Sequence, residues 1–161
     1  MRIVTIGGYG FTEDRFIRTL QKAGVDLFVD VRQRRGMRGA KCAFLNSRRL
    51  QSLLASHNIR YVHALALAPT TAVRNAQKSE DQRTATAKQD RTQLSPSFIQ
   101  KYRSEILSEF EPESLRLALD GTTVVAFFCV EARPAACHRW LAAEHLVNVL
   151  GSEQPVEHLA P

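Results

Sequence analysis

The segment that decides the fold is residues 122–129, TTVVAFFC, which follows an Asp120-Gly121 turn. Its β-branched and aromatic side chains are typical of a β-strand, and it is the strongest strand pattern in the chain. A second run, residues 25–31, is almost continuously apolar, as is typical of a strand buried on both faces of a parallel sheet. These two runs predict a sheet inside the protein.

Further strand patterns lie outward from these two, at residues 2–6, 59–67 and 156–159. Helical patterns separate the strands. Two begin after Thr12 and Asn46, residues that we expect to cap the helix N-termini, and the others begin at Ser95, at Pro112 and at about Cys137. Alternating strands and helices favour a parallel sheet with right-handed crossovers. We therefore expect an α/β fold in which a mostly parallel sheet of about five strands is flanked by helices.

The domain organisation follows from length and composition. A chain of 161 residues is the size of one domain with one core, so we expect a single domain over residues 1–161. Residues 70–95 are polar, with almost no large apolar side chain. We expect them to form an insertion that is partly helical or mobile.

The charge balance favours anionic partners. The chain carries 22 Lys and Arg against 16 Asp and Glu, a formal net charge of +6, which attracts nucleic acid or phosphorylated small molecules. Three cysteines without a CxxC pair fit a reduced, cytoplasmic protein better than a disulfide scaffold. No apolar run is long enough for a transmembrane helix, so no membrane partner is expected. The oligomeric state stays open.

The fold predicts where a site should lie. In open parallel sheets, ligands bind beyond the carboxyl ends of the strands. The loops at that edge would carry the glycine-rich residues 7–10, Asp30 with Arg32, His63, and the residues that follow the fourth strand. We therefore expect these side chains to converge on one surface.

The turn after the fourth strand carries the first set of candidates. Cys129 ends the strand, and Glu131 follows two residues later, so both can reach the same space. Cys137, His138 and Arg139 then begin a helix, whose N-terminus favours anions and can lower the pKa of a cysteine. The alternative is that Cys129 is core packing and that the other three simply start a helix with solvated polar groups.

A basic loop supplies the second set. Residues 32–49 contain seven basic residues and no acidic one. Such a segment with flexible glycines suits phosphate contacts, and we name Arg32, Arg35 and Arg38, together with Cys137, His138 and Arg139, as anion-binding candidates. The alternative is a solvated loop in a basic protein.

Asp30 follows an apolar strand, where an unpaired carboxylate would be costly. Arg32 lies two residues on, so a local ion pair is one account. The other makes Asp30 an acid or base, or a residue that orients Arg32. With Cys129 and Glu131, Asp30 completes the candidate catalytic residues.

Metals and cofactors are not expected. Cys129, Glu131, Cys137 and His138 are all competent zinc ligands, but the C-x7-C-H spacing matches no usual structural zinc pattern. The glycines at residues 7–10 lack the G-x-G-x-x-G spacing of a dinucleotide site.

At these residues the chain resembles the bacterial and archaeal family known as domain of unknown function 488. The similar pieces, in chain order, are Thr5-Ile6-Gly7, Val29-Asp30-Val31-Arg32, Phe44, Tyr61-Val62-His63, Cys129-Val130-Glu131 and Cys137-His138-Arg139. The resemblance implies an α/β fold and a shared site, but no established reaction. The chain departs from the family pattern at Gly8, where a polar residue is usual, and at Leu67-Ala68-Pro69, where Leu-Gly-Gly is usual.

Three hypotheses for function follow. The first is binding of nucleic acid or another phosphorylated or anionic ligand at the carboxyl edge of the sheet. The second is a thiol-dependent enzyme that acts on an anionic substrate through Cys129 or Cys137. The third is a structural or partner-binding domain in which the motif residues only maintain the fold.

Overall fold

Five parallel strands form the sheet in the computed structural model, which describes residues 1–87, 90–152 and 154–161. The order across the sheet is β3-β2-β4-β1-β5. The strands are β1 (Arg2–Ile6), β2 (Leu27–Asp30), β3 (Arg60–His63), β4 (Val124–Phe128) and β5 (Glu157–Leu159). The predicted α/β fold with a parallel sheet of five strands is confirmed.

Helices connect these strands, with short 3-10 and π segments between them. The helices are α1 (Glu13–Lys22), α2 (Ser47–Ala55), α3 (Thr71–Arg83), α4 (Pro96–Tyr102), α5 (Glu113–Leu119) and α6 (His138–Leu150). The 3-10 segments are Ala40–Leu45, Leu65–Leu67 and Pro134–Ala136, and a π turn at Arg103–Leu107 directly follows α4. Helix α3 lies within the stretch expected to be a polar insertion.

Local sequence signals explain how these helices begin and end. The Thr12 hydroxyl accepts a hydrogen bond from the backbone N–H of Arg15 at 3.3 Å, so Thr12 caps α1 as predicted. Gly24 ends that helix with a positive φ of 72°, a conformation that glycine adopts without strain. Asn46 precedes α2, but its side chain makes no capping bond. The predicted capping role is therefore wrong, because the Asn46 amide instead bonds both backbone groups of Met37.

Only β1 has the predicted bounds; the other four strands are shorter than predicted, and two of these differences lie at the sheet edge that carries the site. The third strand was expected to reach Leu67, but β3 ends at His63 because its neighbour β2 ends at the paired residue Asp30. The fourth strand was expected to reach Cys129, but β4 ends at Phe128 for the same reason. Cys129 is therefore the first residue beyond the sheet edge.

The core holds the sheet and helices together around an aromatic cluster. The Phe16 ring of α1 makes edge-to-face contacts with Phe28 of β2, Phe44 and Phe128 of β4, at centroid distances of 6.1, 5.6 and 5.8 Å. Aromatic pairs of this geometry contribute about 0.5–1.5 kcal/mol each beyond the area they bury. This cluster fixes the ends of β2 and β4 side by side.

The strand order creates a crevice beside that cluster. The connection after β2 leads outward to β3, whereas the connection after β4 leads past β1 to β5. Because these two neighbouring strands send their loops in opposite directions, a gap opens beyond their carboxyl ends. Within the described residues, the longest and most apolar helices still fall short of what a membrane crossing needs.

Candidate anion-binding cleft

A cleft of about 1130 Å³ opens at the carboxyl edge of the sheet, beyond β2 and β4. Three segments supply most of its lining: the basic loop after β2, helix α3 with the residues that follow it, and the loop between β4 and α6. Tyr9, Pro69 and Phe98 complete it. The basic residues of the lining are Arg32, Arg34, Arg38, Arg74, Lys78 and Arg91, and the acidic ones are Asp81 and Glu131. Its lining also includes Cys129, Cys137 and His138. The predicted convergence of the two loops on one surface is therefore observed.

Close packing of the loop after β1 positions the loop after β4. The backbone N–H groups of Gly8 and Tyr9 both donate to the carbonyl of Val130, at 3.1 and 2.9 Å. A Cβ atom at Gly7 would lie 2.2 Å from the carbonyl oxygen of Glu131. Only glycine fits there, since real Cβ atoms do not approach backbone oxygens so closely.

Asp30 and Arg32 form a buried ion pair. The Nε and Nη2 atoms of Arg32 donate to the two carboxylate oxygens of Asp30 at 2.9 and 2.7 Å, and both side chains are buried. Arg32 also donates through Nη1 to the carbonyl of Leu45 at 3.0 Å, and its Cζ lies 4.7 Å from the centroid of the Phe128 ring. Although Arg32 reaches the cleft lining, its guanidinium is already used by the protein. This geometry favours the local ion pair over an acid or base role for Asp30.

Further hydrogen bonds complete that pair. The Tyr61 hydroxyl donates to Asp30 Oδ2 at 2.8 Å and accepts from Arg35 Nη1 at 3.3 Å. Burial raises the pKa of Tyr61, and the negative charge of Asp30 acts in the same direction, while the bond from Arg35 lowers it. His63 Nε2 donates to the backbone carbonyl of Arg32 at 2.8 Å. Arg35 and His63 therefore support the base of the loop and are not part of the cleft lining.

Arg139 is fully buried and faces the backbone. Its guanidinium donates to the carbonyls of Glu131 and Ala132, the second at 3.2 Å. Arg139 does not line the cleft. Its Nε is one of two buried side-chain atoms that have no hydrogen-bond partner within the described part of the chain. In this structure Arg139 holds the loop after β4 in shape, so we do not assign it to ligand contact.

Three other cations of the lining are available to a ligand. Arg34, Arg38 and Lys78 are exposed, and their side chains make no hydrogen bond or ion pair with residues 1–87, 90–152 or 154–161. Arg34 and Arg38 belong to the basic loop, whereas Lys78 projects from α3 on the other side. Of the predicted arginines, only Arg38 belongs to this unpartnered group.

Helix α3 was not recognised as part of the site. Its buried residues are Val73 and Gln77, one turn apart, and a single apolar side chain gives almost no helical periodicity to read. The Gln77 amide donates to Asp81 at 2.7 Å and accepts from the backbone N–H of Ser95 at 2.7 Å. Arg91 pairs with Asp81. These bonds fix α3 against the segment before α4, so that Arg74 and Lys78 face the cleft.

Two thiols and an imidazole lie together in the lining. The sulfurs of Cys129 and Cys137 and a ring nitrogen of His138 are all within 4.8 Å of one another. His138 Nε2 lies 3.0 Å from the carbonyl of Val31. Since a carbonyl can only accept, Nε2 is the donor of this hydrogen bond.

The environment separates the two thiols. Burial acts to raise the pKa of Cys137, but hydrogen bonds with Cys129 and His138 and the positive charge of Arg139 outweigh it and hold that pKa well below its ordinary value. The hydrogen bond to Cys137 and burial raise the pKa of Cys129 well above its ordinary value. Of the two, Cys137 is the one that is more readily a thiolate.

The structure sorts the predicted site residues into two groups. One group lines the cleft: Arg32, Arg38, Cys129, Glu131, Cys137 and His138. The other group lies behind or beside it and makes internal bonds: Asp30, Arg35 and Arg139. The structure also weakens the reason for expecting no metal. The C-x7-C-H spacing is unusual in the sequence, but the loop brings the donor atoms together in space.

Among the comparisons with known proteins, one family model matches the chain. The model of the family described as domain of unknown function DUF488 matches residues 12–146, most of the chain. No curated protein and no solved structure matches the chain. The match covers both the basic loop and the loop between β4 and α6.

Proposed function

This chain belongs to the DUF488 family, and from its structure we propose that it binds phosphorylated ligands, nucleic acid among them, in the cleft at the carboxyl edge of the sheet. The observation that supports this most is the charge of the lining. Six basic side chains line the cleft against two acidic ones, and four of the six (Arg34, Arg38, Arg74 and Lys78) have no ion-pair partner among the described residues, whereas Arg32 is paired with Asp30. One of the two acidic residues, Asp81, is paired with Arg91.

Three cations of the lining have no partner within the described part of the chain and add to the positive potential of the cleft. Arg34, Arg38 and Lys78 are exposed and unpaired with the described residues. Like charges gathered in a concave surface reinforce one another's potential and attract anions to that surface. A ligand with phosphate groups would relieve the repulsion and release counterions, which favours binding.

The size and arrangement of the cleft indicate the class of ligand. At about 1130 Å³, the cleft is at or above the upper end of the range for sites that enclose one small molecule, roughly 300–1000 Å³. Its cations lie on two sides, in the loop and on α3. A ligand that carries several phosphates, such as a short stretch of a nucleic acid strand, satisfies both sides, and backbone contacts of this type do not read sequence.

Fluorescence anisotropy of a labelled single-stranded oligonucleotide tests the proposal. We expect binding that weakens as NaCl rises from about 50 to 200 mM, with a slope of roughly −2 to −3 in log K against log salt for three neutralised phosphates. Competition with inorganic pyrophosphate and with a mononucleotide distinguishes a polymer from a small ligand. If neither the oligonucleotide nor the small competitors bind, or if binding ignores salt, the proposal fails.

The two alternative hypotheses remain predictions with their own tests. A thiol-dependent enzyme requires Cys137 to react with iodoacetamide at neutral pH much faster than the partly exposed Cys42. A structural or partner-binding domain would show no affinity for the oligonucleotide at any salt concentration.

A further inference from the structure

The cluster of Cys129, Cys137 and His138 has the composition of a metal site. Two thiols and one imidazole converge within 4.8 Å, and these are the ligand types that zinc prefers. From this convergence we propose that the three side chains bind one Zn²⁺ ion at the edge of the anion-binding cleft. This inference does not rest on the proposed function, since the ion would bind whether or not the cleft takes a polyanion.

The spacing of the donor atoms is close to what a tetrahedral ion needs. Zinc binds sulfur at about 2.3 Å and nitrogen at about 2.0–2.1 Å, so neighbouring donors around it lie roughly 3.5 Å apart. The donors of this cluster are already within 4.8 Å of one another. Binding therefore requires the donors to close by at most about 1.3 Å.

The bond that His138 makes to Val31 supports a ligand role. A metal-bound histidine usually donates its other ring N–H to a carboxylate or a backbone carbonyl, and this partner fixes the tautomer and the ring orientation. The Nε2 of His138 makes such a bond, at 3.0 Å. Because Nε2 is used by Val31, Nδ1 is the ring nitrogen left to bind a metal.

Charge and access also fit a divalent ion. Two thiolates and a neutral imidazole would balance the two positive charges of zinc, so the buried group would become neutral. The exposed fractions of Cys129, Cys137 and His138 are 7%, 2% and 8%, yet all three line the cleft. The cleft therefore provides an entry path, and three protein ligands leave a fourth position for water or an oxygen of a bound ligand.

The loop between β4 and α6 explains why the chain spacing does not prevent this. The carbonyl of Val130 accepts from Gly8 and Tyr9, which holds the start of the loop. The backbone N–H of Cys137 donates to the carbonyl of Pro134 at 2.9 Å, which turns the end of the loop back. The two cysteines, eight positions apart, therefore face each other.

Cobalt titration of the reduced, chelator-treated protein tests the site. Cobalt bound by thiolates absorbs in the near ultraviolet, so we expect this absorption to saturate at one Co²⁺ per chain and to disappear when one equivalent of Zn²⁺ is added. The variant Cys42→Ser is the matched control, because Cys42 lies outside the cluster, and it should bind as the wild type does. Cys137→Ser and His138→Gln should lose the one-to-one absorption.

A measurement on the unmodified chain keeps the test decisive if a variant does not fold. Alkylation of wild-type Cys129 and Cys137, followed by mass spectrometry, should slow by about tenfold or more when Zn²⁺ is added, since a metal-bound thiolate is no longer a free nucleophile. Cys42 in the same sample should react at an unchanged rate. The proposal is overturned if cobalt gives no thiolate absorption in the wild type, or if Zn²⁺ leaves the alkylation of all three cysteines unchanged.

Discussion

Two sets of cations meet at the carboxyl edge of this sheet, and they are used in opposite ways. Arg32 and Arg139 are buried, and their guanidinium groups bond to Asp30 and to backbone carbonyls. Arg34 and Arg38 are exposed and have no partner among the described residues. The two sets are separated by only a few residues along the chain or by the width of a loop.

The most recognisable residues of this edge are therefore not the ones that are free to contact a ligand. Arg32 and Arg139 belong to the pieces that carry the family resemblance, and in the structure they build the edge. The charges that a ligand could reach come from less distinctive positions, including Lys78 on α3. Burial explains the division, because a buried charge must be paired whereas an exposed one is already solvated.

Removal of a buried arginine should have the largest effect. Arg32→Ala leaves the carboxylate of Asp30 buried and without its ion-pair partner, which costs about 3–5 kcal/mol in comparable pairs. We expect a loss of that size in the free energy of unfolding measured with urea. Arg34→Ala, two positions further along the chain, should change it by less than about 0.5 kcal/mol. Equal effects of the two substitutions would show that the buried ion pair of Arg32 does not stabilise the fold more than an exposed arginine does.

Removal of exposed cations should affect binding and leave stability almost unchanged. In the double variant Arg34→Ala/Arg38→Ala, we expect oligonucleotide affinity to fall by about tenfold or more and the salt slope to become shallower by roughly 1.4–1.8, since two phosphate contacts are lost. The control Arg15→Ala/Arg48→Ala makes the same change in charge at exposed positions outside the cleft. If the control loses as much affinity as the cleft variant, binding is governed by net charge and not by the cleft.

Removal of the Tyr61 hydroxyl should lower the unfolding free energy by less than removal of Arg32 does. Tyr61→Phe removes one hydrogen bond to Asp30, and a loss of about 1–2 kcal/mol in unfolding free energy is expected, with oligonucleotide affinity unchanged. The pKa of Tyr61 is raised in the folded protein, mainly by burial. A raised pKa means that the folded state holds its proton longer than the unfolded state. This contribution to stability is complete below about pH 10 and is lost as pH rises through the folded pKa.

Urea unfolding between neutral pH and strongly alkaline pH measures how much the Tyr61 proton contributes to stability. Other groups titrate in the same range, so the informative quantity is the difference between wild type and Tyr61→Phe. We expect this difference to shrink as pH rises above about 10. A difference that stays constant would show that the Tyr61 proton does not stabilise the fold.

The sequence was sufficient for the parts of the fold that local chemistry determines. The bounds of β1 were predicted correctly, the Thr12 cap is confirmed, and β4 lies within the predicted strand. The shared edge also followed from the strand order alone. The early ends of β3 and β4 did not, because they depend on where the neighbouring strand stops pairing.

The composition of the site was harder to predict, for a physical reason. Whether an arginine faces a ligand or a carbonyl depends on tertiary contacts, so Arg38 and Arg139 looked equivalent in the sequence. Helix α3 was missed as a wall of the cleft because it is held there by polar bonds of Gln77 and Asp81 and by one buried apolar side chain, Val73. Hydrophobic periodicity has little to detect in such a helix.

The side-chain Nε–H resonances of the arginines report which of them contact a ligand and which only maintain the fold. In a titration of isotope-labelled protein with the single-stranded oligonucleotide, followed by NMR, we expect the signals of Arg34 and Arg38 to move progressively to saturation. Those of Arg32 and Arg139 should stay in place. Movement confined to Arg32 and Arg139, with Arg34 and Arg38 unchanged, would show that the buried arginines contact the ligand and the exposed ones do not.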